Sequence, residues 1–311
     1  MAFTPDPSVA VILVNWNGYA FTVDCLKSLR KVEFPDFKVI LVDNDSQNDE
    51  GKKLKLNYPE IDLIENVANL GFAGGNNVGI KKALNDGYTH VMILNNDTAV
   101  EPDFLGQMIR RFQNSPNLGV VQPLIYFLHD RKKIWSAGGK WNQLLCRSIT
   151  LGDRKSSEEY QAKNRELDWA TGCCMLITRN ALLEVGLLNE SYFAYFEDVE
   201  WSLRFREKGY SIELAADSVI YHEAGASSKK KHSEGTLSAT VFYYHVRNQF
   251  YLLRSVSRGP QLVLASTYHL SRFVLWMGYF CVRGRFQKLK SVARGIKHGW
   301  TLPLQKAEVW H

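Results

Sequence analysis

The sequence predicts an α/β fold: a Rossmann-like mixed sheet flanked by helices, with a basic helical extension at the C-terminal end. Three observations carry that expectation. Apolar runs at Val9–Val14, Lys38–Val42 and Thr89–Leu94 alternate with segments whose apolar residues recur at helical spacing, the pattern of βαβ units. The apolar residues in each run are consecutive, as in parallel strands covered on both faces. Each run then passes without a gap into Asn or Asp, at Asn15, Asp43 and Asn95. Parallel connections bring such ends to one edge of the sheet, where open α/β sheets bind ligands. One polar strand end is a turn; three on one edge make a site.

The 311 residues suffice for a large core, as one big domain or two smaller ones, and 45% hydrophobic with 23% charged residues excludes wholesale disorder. The five cysteines are scattered, with no CxxC or His spacing for zinc, and read as buried thiols in a reducing compartment. Met1 to Pro7 has no positive n-region, and Val9–Val14 is too short for a signal h-region, so export is not expected. Charge is uneven. From Lys229 onward there are 14 Lys and Arg against two acids; of the totals of 38 and 32, this leaves 24 basic and 30 acidic residues before it. A basic tail on an acidic body points to an anionic surface as partner.

Taken in order, Val9–Val14 breaks at Asn15-Trp-Asn-Gly18. A helix from Asn17 or Gly18 should then carry Phe21, Cys25, Leu26 and Leu29 on its inner face. Lys38–Val42 ends in Asp43-Asn-Asp-Ser46, and Ile61–Glu65 is a third strand. Asn69-Leu-Gly-Phe-Ala-Gly-Gly-Asn-Asn77 leads into a helix through Leu84. Its glycines lack GxGxxG spacing and alone are a weak phosphate signal, although they would let a ligand approach the backbone. Thr89–Leu94 is the fourth strand. Its tail Asn95-Asn-Asp-Thr98 is by itself a turn, yet Asp97 offers a hard oxygen donor suited to Mg2+ or Mn2+ shared with phosphates. After Glu101-Pro102 a helix runs to about Asn114, Leu118–Tyr126 is a strand, and Lys133–Thr150 is a hairpin. Arg154–Arg165 reads as a mobile surface loop and Gly172–Thr178 as a buried strand.

Aromatic residues then crowd against Glu197 and Asp198. A helix from about Asp198 would put Val199, Leu203 and Arg206 on one face. Asp198 reads as an N-cap or, in partly apolar surroundings that raise its pKa, as a general base. Ser218–His222 is a short strand ending in a metal-capable side chain.

Together, the strand with Asn15, the Val-Asp-Asn-Asp-Ser block, Asn69–Asn77, Leu-Asn-Asn-Asp-Thr, and Phe-Glu-Asp-Val-Glu-Trp followed by His222 resemble family 2 glycosyltransferases. More narrowly, the chain is similar to their bacterial rhamnosyltransferase-like branch, which includes galactofuranosyltransferases. The resemblance runs from about Val9 to Tyr251. It implies a GT-A fold over 1–234, with a nucleotide-binding half at about 1–125 and an acceptor half at about 126–234. It also implies inverting, metal-dependent transfer from a nucleotide-diphosphate sugar. Carried across, Asp43 would hold the base or ribose, helped by backbone around Asn15. Asn69, Gly71, Gly74, Asn76 and Asn77 would line the diphosphate and sugar. Asn95-Asn96-Asp97 stands at the DxD position, with Asp97 and His222 the ligands of Mg2+ or Mn2+. Asp198 would be the base, and Phe196, Glu197 and Trp201 would face the acceptor. Asn95 departs from DxD and removes one charge.

The expected reaction moves a sugar, L-rhamnose from dTDP-rhamnose being the leading candidate, to a glycan or polyprenyl-diphosphate-linked acceptor in cell-surface polysaccharide synthesis. Galactofuranosyl or other hexosyl transfer is the near alternative. A nucleotidyltransferase should show a basic phosphate-gripping loop, which Asn15–Gly18 lacks, and an inactive nucleotide-sugar-binding protein would release no nucleotide.

The last part, 235–311, reads as helical and basic. Thr236–Arg258 is an aromatic-rich helix interrupted by Pro260. Gln261–Val282 is long enough for a bilayer, but His269 and Arg272 near its middle make a span costly. With Arg283–Lys297 it reads as an amphipathic pair on the cytoplasmic leaflet, making the expected location cytoplasmic and peripheral on the cell membrane. A basic solvated face on ordinary packing helices is the alternative. No helix-turn-helix, RRM or KH signature accompanies the charge, so nucleic acid is not expected.

Overall fold

In a computed structural model of the chain, residues 6–113, 115–223, 234 and 237–310 are described. Asn114, where a helix was expected to end, the lysines at 229–231, Thr236 and residues 1–5 of the N-terminus lie outside them.

The first elements are β1 (Val9–Asn15), α1 (Tyr19–Leu29), β2 (Phe37–Asp43), α2 (Glu50–Asn57), β3 (Asp62–Glu65), α3 (Gly71–Asn85) and β4 (His90–Asn95). β1, β2 and β3 run parallel side by side, and β4 returns to the other flank of β1, also parallel. That reversal is a topological switch point, which opens a crevice at the carboxyl ends of β1 and β4. Alternate residues of β1 face opposite layers. Val9, Val11 and Leu13 pack with Cys25, Leu26 and Leu29 of α1 and Leu54 of α2; Ala10 and Ile12 pack with Ala73, Ile80 and Ala83 of α3. Phe21 is not on the buried face of α1; Thr22 is, for a reason given below.

Next come β5 (Thr98–Val100), α4 (Phe104–Phe112), β6 (Leu118–Phe127), β7 (Ile134–Ser136), β8 (Gly139–Asn142) and β9 (Arg147–Thr150). Then follow α5 (Ser157–Tyr160), β10 (Arg165–Leu167), β11 (Cys174–Thr178), α6 (Arg179–Val185), α7 (Glu197–Glu207) and β12 (Ser211–His222). The main sheet has the order β10-β12-β6-β11-β4-β1-β2-β3, with β5 on β12 and β7 on β6. β11 is antiparallel to both neighbours, so its start meets the end of β4.

Several boundaries differ from expectation. The division at 125/126 falls inside β6, which pairs with β11 and β12, so one sheet and its two apolar layers span both halves. Only 139–150 forms the hairpin, because β7 pairs with β6 instead. The 154–165 segment contains α5, closed by a capping box between Ser156 and Glu159, and ends in β10. β12 is twelve residues long, since its first part finds partners in β6 and β10.

The extension forms α8 (Ala239–Val256), α9 (Gly259–Val282) and α10 (Phe286–Thr301). α10 lies close on α8, where a Cβ at Gly295 or Gly299 would come within 2.9 or 2.6 Å of it. Ala265, Phe273 and Phe280 of α9 seal onto Val246, Phe250 and Leu253 of α8 and Val292 of α10. Tyr251 and Leu252 of α8 pack with Trp169, Tyr192 and Val199 of the sheet body. Residues after α10 return to that body, where the Leu187 N–H donates to the Glu308 carbonyl at 2.8 Å and Asn189 Nδ2 to the Gln305 carbonyl at 2.9 Å. α8 and α10 are thus built into the core. Among the described residues no helix is long and apolar enough to cross a membrane.

Candidate active site

Strand register assembles the site. Asn15 pairs with Asp43 and Val14 with Asn95, while Cys174 at the start of β11 pairs with Leu94. His222, at the end of β12, pairs with Thr98. Asn15, Asp43, Asn95–Asp97, the 171–173 segment and His222 therefore share one edge.

On the β1–β2 side, polar groups are tied to one another. Asn15 Nδ2 lies 2.9 Å from Asp43 Oδ1, 3.0 Å from Ser46 Oγ and 3.0 Å from Glu50 Oε2. The Thr22 hydroxyl donates to Asn15 Oδ1 at 2.8 Å, and Asn96 Nδ2 donates to that hydroxyl at 2.7 Å. Buried Asn15 needs a donor for its carbonyl, which is why Thr22 takes the inner position on α1. Asp43 is buried, and its second oxygen accepts the Ser46 N–H at 3.1 Å. Asn44 staples the following loop: it accepts from Leu70 N–H and donates to the Gly71 carbonyl and to Asn69 Oδ1.

The glycine-rich segment serves packing more than an open pocket. Gly71 adopts φ +73°, and a Cβ there would meet the Phe193 carbonyl at 2.5 Å; Gly74 sits under Leu70 at 2.7 Å. Asn76 turns inward to the Phe72 carbonyl, and Asn77 clamps the Leu188 backbone and Glu190. Of the five residues expected to line the donor, only Asn69 is partly exposed; Asn95 and Asn96 join it on the accessible side.

Asp97 Oδ1 and His222 Nε2 are 3.1 Å apart, with Asn95 Nδ2 3.4 Å from the same nitrogen. Both side chains are nearly buried, and the ring of Trp135 meets that of His222 edge-on at 4.4 Å. His222 Nδ1 is buried with no hydrogen-bond partner among the described residues. A carboxylate, an imidazole not fully committed to the protein and a neighbouring carboxamide fit a divalent cation. Among the described residues no third His, Cys, Asp or Glu completes a cluster.

Asp198 is tied to the end of β4 through two backbone hydrogen bonds. The Asn95 N–H donates to the Cys173 carbonyl at 2.9 Å, and the adjacent Gly172 N–H donates to Asp198 Oδ2 at 2.9 Å. The Val199 N–H donates to the other carboxylate oxygen at 2.8 Å. Burial raises the Asp198 pKa, and these backbone donors oppose the rise. Glu197 is pushed well above the carboxylate range by burial and then by Asp198, and its Oε2 has no partner among the described residues. Of the two adjacent carboxyls, Asp198 is the one with backbone donors that favour its charged form. Trp201 corrects an expectation: it is fully buried, donates Nε1 to the Gly186 carbonyl at 2.9 Å and packs on Phe205, so it belongs to the core rather than an acceptor surface. Phe196 is partly exposed and edges onto His245.

The segment before Glu197 is held from both sides. Phe193, Tyr195 and Phe196 all have left-handed backbones, with φ of 64°, 73° and 70°. The N-terminal turn of α3 donates Phe72 and Ala73 N–H groups to the Phe193 carbonyl. From α8, Arg247 donates to the Ser191 and Tyr192 carbonyls at 2.8 Å each, and Asn248 Nδ2 faces those of Tyr192, Ala194 and Tyr195 at 2.9, 2.7 and 2.8 Å. The rings of Phe193 and Tyr244 stack at 5.2 Å, and those of Tyr195 and His245 at 4.4 Å. His245 is held neutral, its pKa lowered to about 4 by burial. The sequence reading missed Thr22, Trp135, Arg247 and Asn248. Arg247-Asn248 on an apolar helix face was the one available signal.

Of the cysteines, Cys25, Cys146, Cys173 and Cys174 are buried and free as expected, and burial pushes Cys25 up to about 12; Cys281, on α9, is exposed.

Comparison with known proteins places the chain in a family. The family described as Glycosyl transferase family 2 matches residues 10–186. The chain is 26% identical over 284 residues to "Low-salt glycan biosynthesis hexosyltransferase Agl10" of Haloferax volcanii, covering 90% of this chain and 85% of the relative. It is 24% identical over 269 residues to "N-acetylglucosaminyl-diphospho-decaprenol L-rhamnosyltransferase" of Mycobacterium tuberculosis, covering 80% and 85%. Among solved structures, "Mannosyltransferase PcManGT from Pyrobaculum calidifontis in complex with GDP-Man and Mn2+" aligns with TM-score 0.58 at 13% identity, covering 96% of this chain and 89% of that one. At that identity the likeness concerns the fold, which is GT-A.

Proposed function

The chain belongs to glycosyl transferase family 2, and on that premise we propose that it is an inverting hexosyltransferase using the sheet edge just described as its active site. The donor is a nucleotide-diphosphate sugar, with dTDP-L-rhamnose the leading candidate and a galactofuranosyl or other hexosyl donor the alternative. The acceptor is a glycan or a polyprenyl-diphosphate-linked glycan at the cytoplasmic face of a membrane. The observation that supports this reading is the pair of backbone hydrogen bonds from Asn95 to Cys173 and from Gly172 to Asp198, which ties Asp198 to the strand end that leads into Asp97 of the Asp97–His222 pair.

In this mechanism Asp198 takes the proton of the acceptor hydroxyl as its oxygen attacks the anomeric carbon from the face opposite the diphosphate. The bond from that carbon to the diphosphate oxygen breaks, the nucleotide diphosphate leaves, and one displacement inverts the configuration. Gly172 and Val199 N–H groups fix the carboxylate's orientation. Asp97 and His222, with Asn95, would hold Mg2+ or Mn2+, which when bound supplies Lewis-acid neutralisation of the diphosphate. Asn69 and Asn96 are the accessible carboxamides left to hold the donor.

The reading is tested by nucleotide release from a panel of dTDP-, UDP- and GDP-sugars with Mn2+; no release from any donor would sink it. Asp97→Ala is expected to remove the tightening of nucleotide binding by Mn2+, measured by titration with and without the metal. An unchanged Mn2+ effect would dismiss Asp97 as a ligand. The base works only when ionised, and burial favours its neutral form. The acid limb of kcat/KM is therefore expected above the ordinary Asp value of about 3.9, with activity lost as pH falls through it. A limb at or below that value would count against Asp198.

A further inference from the structure

We propose that the outer half of α9 is a docking face for an anionic lipid bilayer, on which the helix lies flat. Of the eighteen exposed large apolar side chains among the described residues, seven stand on this one helix. They include Val263 at 66%, Leu275 at 73% and Val282 at 87% exposure, with Leu264, Leu270 and Val274 between them. At 100° per residue these positions fall on one contiguous half of the helix, which runs about 30 Å from Val263 to Val282. The opposite half carries Ala265, His269, Phe273 and Phe280 and is sealed against the body. An exposed apolar strip of this length on a soluble domain marks an interaction surface.

Charge decides the occupant. α9 contains no Asp or Glu, and its single charged residue, Arg272, sits at the border of the strip with its guanidinium 5.7 Å over the Tyr268 ring. Exposed Arg258 precedes the helix, exposed Arg283 follows it, and Lys290, Arg294 and Lys297 are exposed on α10. The two acids of this region are engaged elsewhere: Glu234 accepts N–H groups of Gln287 and Lys288, and Glu308 pairs with Lys81 at 2.7 Å. An apolar strip with basic ends and no carboxylate matches anionic headgroups over acyl chains. A second copy of the chain would bring like charges together. The helix is not apolar enough to cross the bilayer, and its packed half ties it to the enzyme.

The expectation of an amphipathic pair is thereby narrowed to α9, because α10 is packed on α8 through Gly295 and Gly299 and its exposed apolar side chains, Phe286 and Trp300, stand singly at its two ends, with Lys290, Arg294 and Lys297 exposed between them. The proposal deepens the reading of a membrane-borne acceptor and rests on it for its purpose, but its test does not depend on turnover.

The test is flotation of the full chain with phosphatidylglycerol vesicles, with phosphatidylcholine vesicles as the control. The wild type should float with the anionic vesicles and about tenfold less with the neutral ones, and added salt should weaken the binding. The double substitution Val274→Glu, Leu275→Glu should cut flotation about tenfold or more. Val274→Ser, Leu275→Ser should cut it less, and nucleotide titration should show both variants folded. Asp198→Asn should float like wild type, so failure of the face and failure of the active site read out separately. The proposal is overturned if the wild type stays at the bottom of the gradient or if the glutamate variant floats unchanged. It is equally overturned if the wild type is a dimer in lipid-free buffer that the glutamate variant dissolves.

Discussion

Asp198→Asn is expected to lower transfer roughly 10²- to 10⁴-fold, the usual range for losing a general base, with nucleotide affinity within about threefold of wild type. Asn keeps the shape of the side chain and an oxygen for the Gly172 N–H, so the loop should stay in place. The informative partner is Glu197→Gln. Glu197 is buried beside Asp198, its Oε2 has no partner among the described residues, and burial favours its neutral form, which Gln copies. Its turnover is expected within about threefold of wild type, because no charge is removed. The contrast separates two adjacent carboxyls that spacing along the chain treats alike. An active Asp198→Asn enzyme, or an inactive but folded Glu197→Gln enzyme, would reverse the assignment.

Asn248→Ala is expected to lower kcat about 10²-fold although Asn248 stands on α8, in the C-terminal extension. The reason is a balance of similar quantities. Holding Phe193, Tyr195 and Phe196 left-handed costs about 1–2 kcal/mol each, or about 3–6 kcal/mol together. Opposing this, Arg247 and the two N–H groups of Asn248 Nδ2 can make four hydrogen bonds to the 191–195 carbonyls, worth about 0.5–1.5 kcal/mol each, or about 2–6 kcal/mol together. Removing those from Asn248 tips the loop toward relaxation and lets Asp198 drift. A shift of about 1 Å is enough for the kinetic loss. Stability should fall by about 1–3 kcal/mol, since the carbonyls are left short of donors. Donor binding should change little, which distinguishes displacement of the base from general unfolding. If turnover per folded molecule is unchanged, measured against active sites counted by nucleotide titration, Asn248 is only a stability residue.

Much of this was legible in the chain order. Consecutive apolar residues ending in Asn or Asp announce buried parallel strands with a polar edge, and Asp97, Asp198 and His222 were readable as chemistry-bearing positions. Less legible was which carboxamides stay available. Asn76 and Asn77 sit in the same glycine-rich block as Asn69, yet they face the opposite way, toward Phe72, Leu188 and Glu190. Composition cannot report side-chain direction at a helix start: Asn76 turns back to Phe72 on its own helix, and partners more than a hundred residues away hold Asn77. Trp201 was misread for a related reason. Its neighbours in sequence are acidic, but one helical turn places it on the core face.

What the sequence alone determined is the part set by local periodicity: the strands, the polar edge and the basic extension. What only the tertiary structure decided is how distant segments share that edge. Antiparallel β11 brings Gly172 to Asp198, the α8 side chains hold the 191–196 segment, and one half of α9 is left bare while the glycine-bearing side of α10 is covered. Hydrogen bonds and packing between residues far apart along the chain set these outcomes, and no spacing rule encodes them.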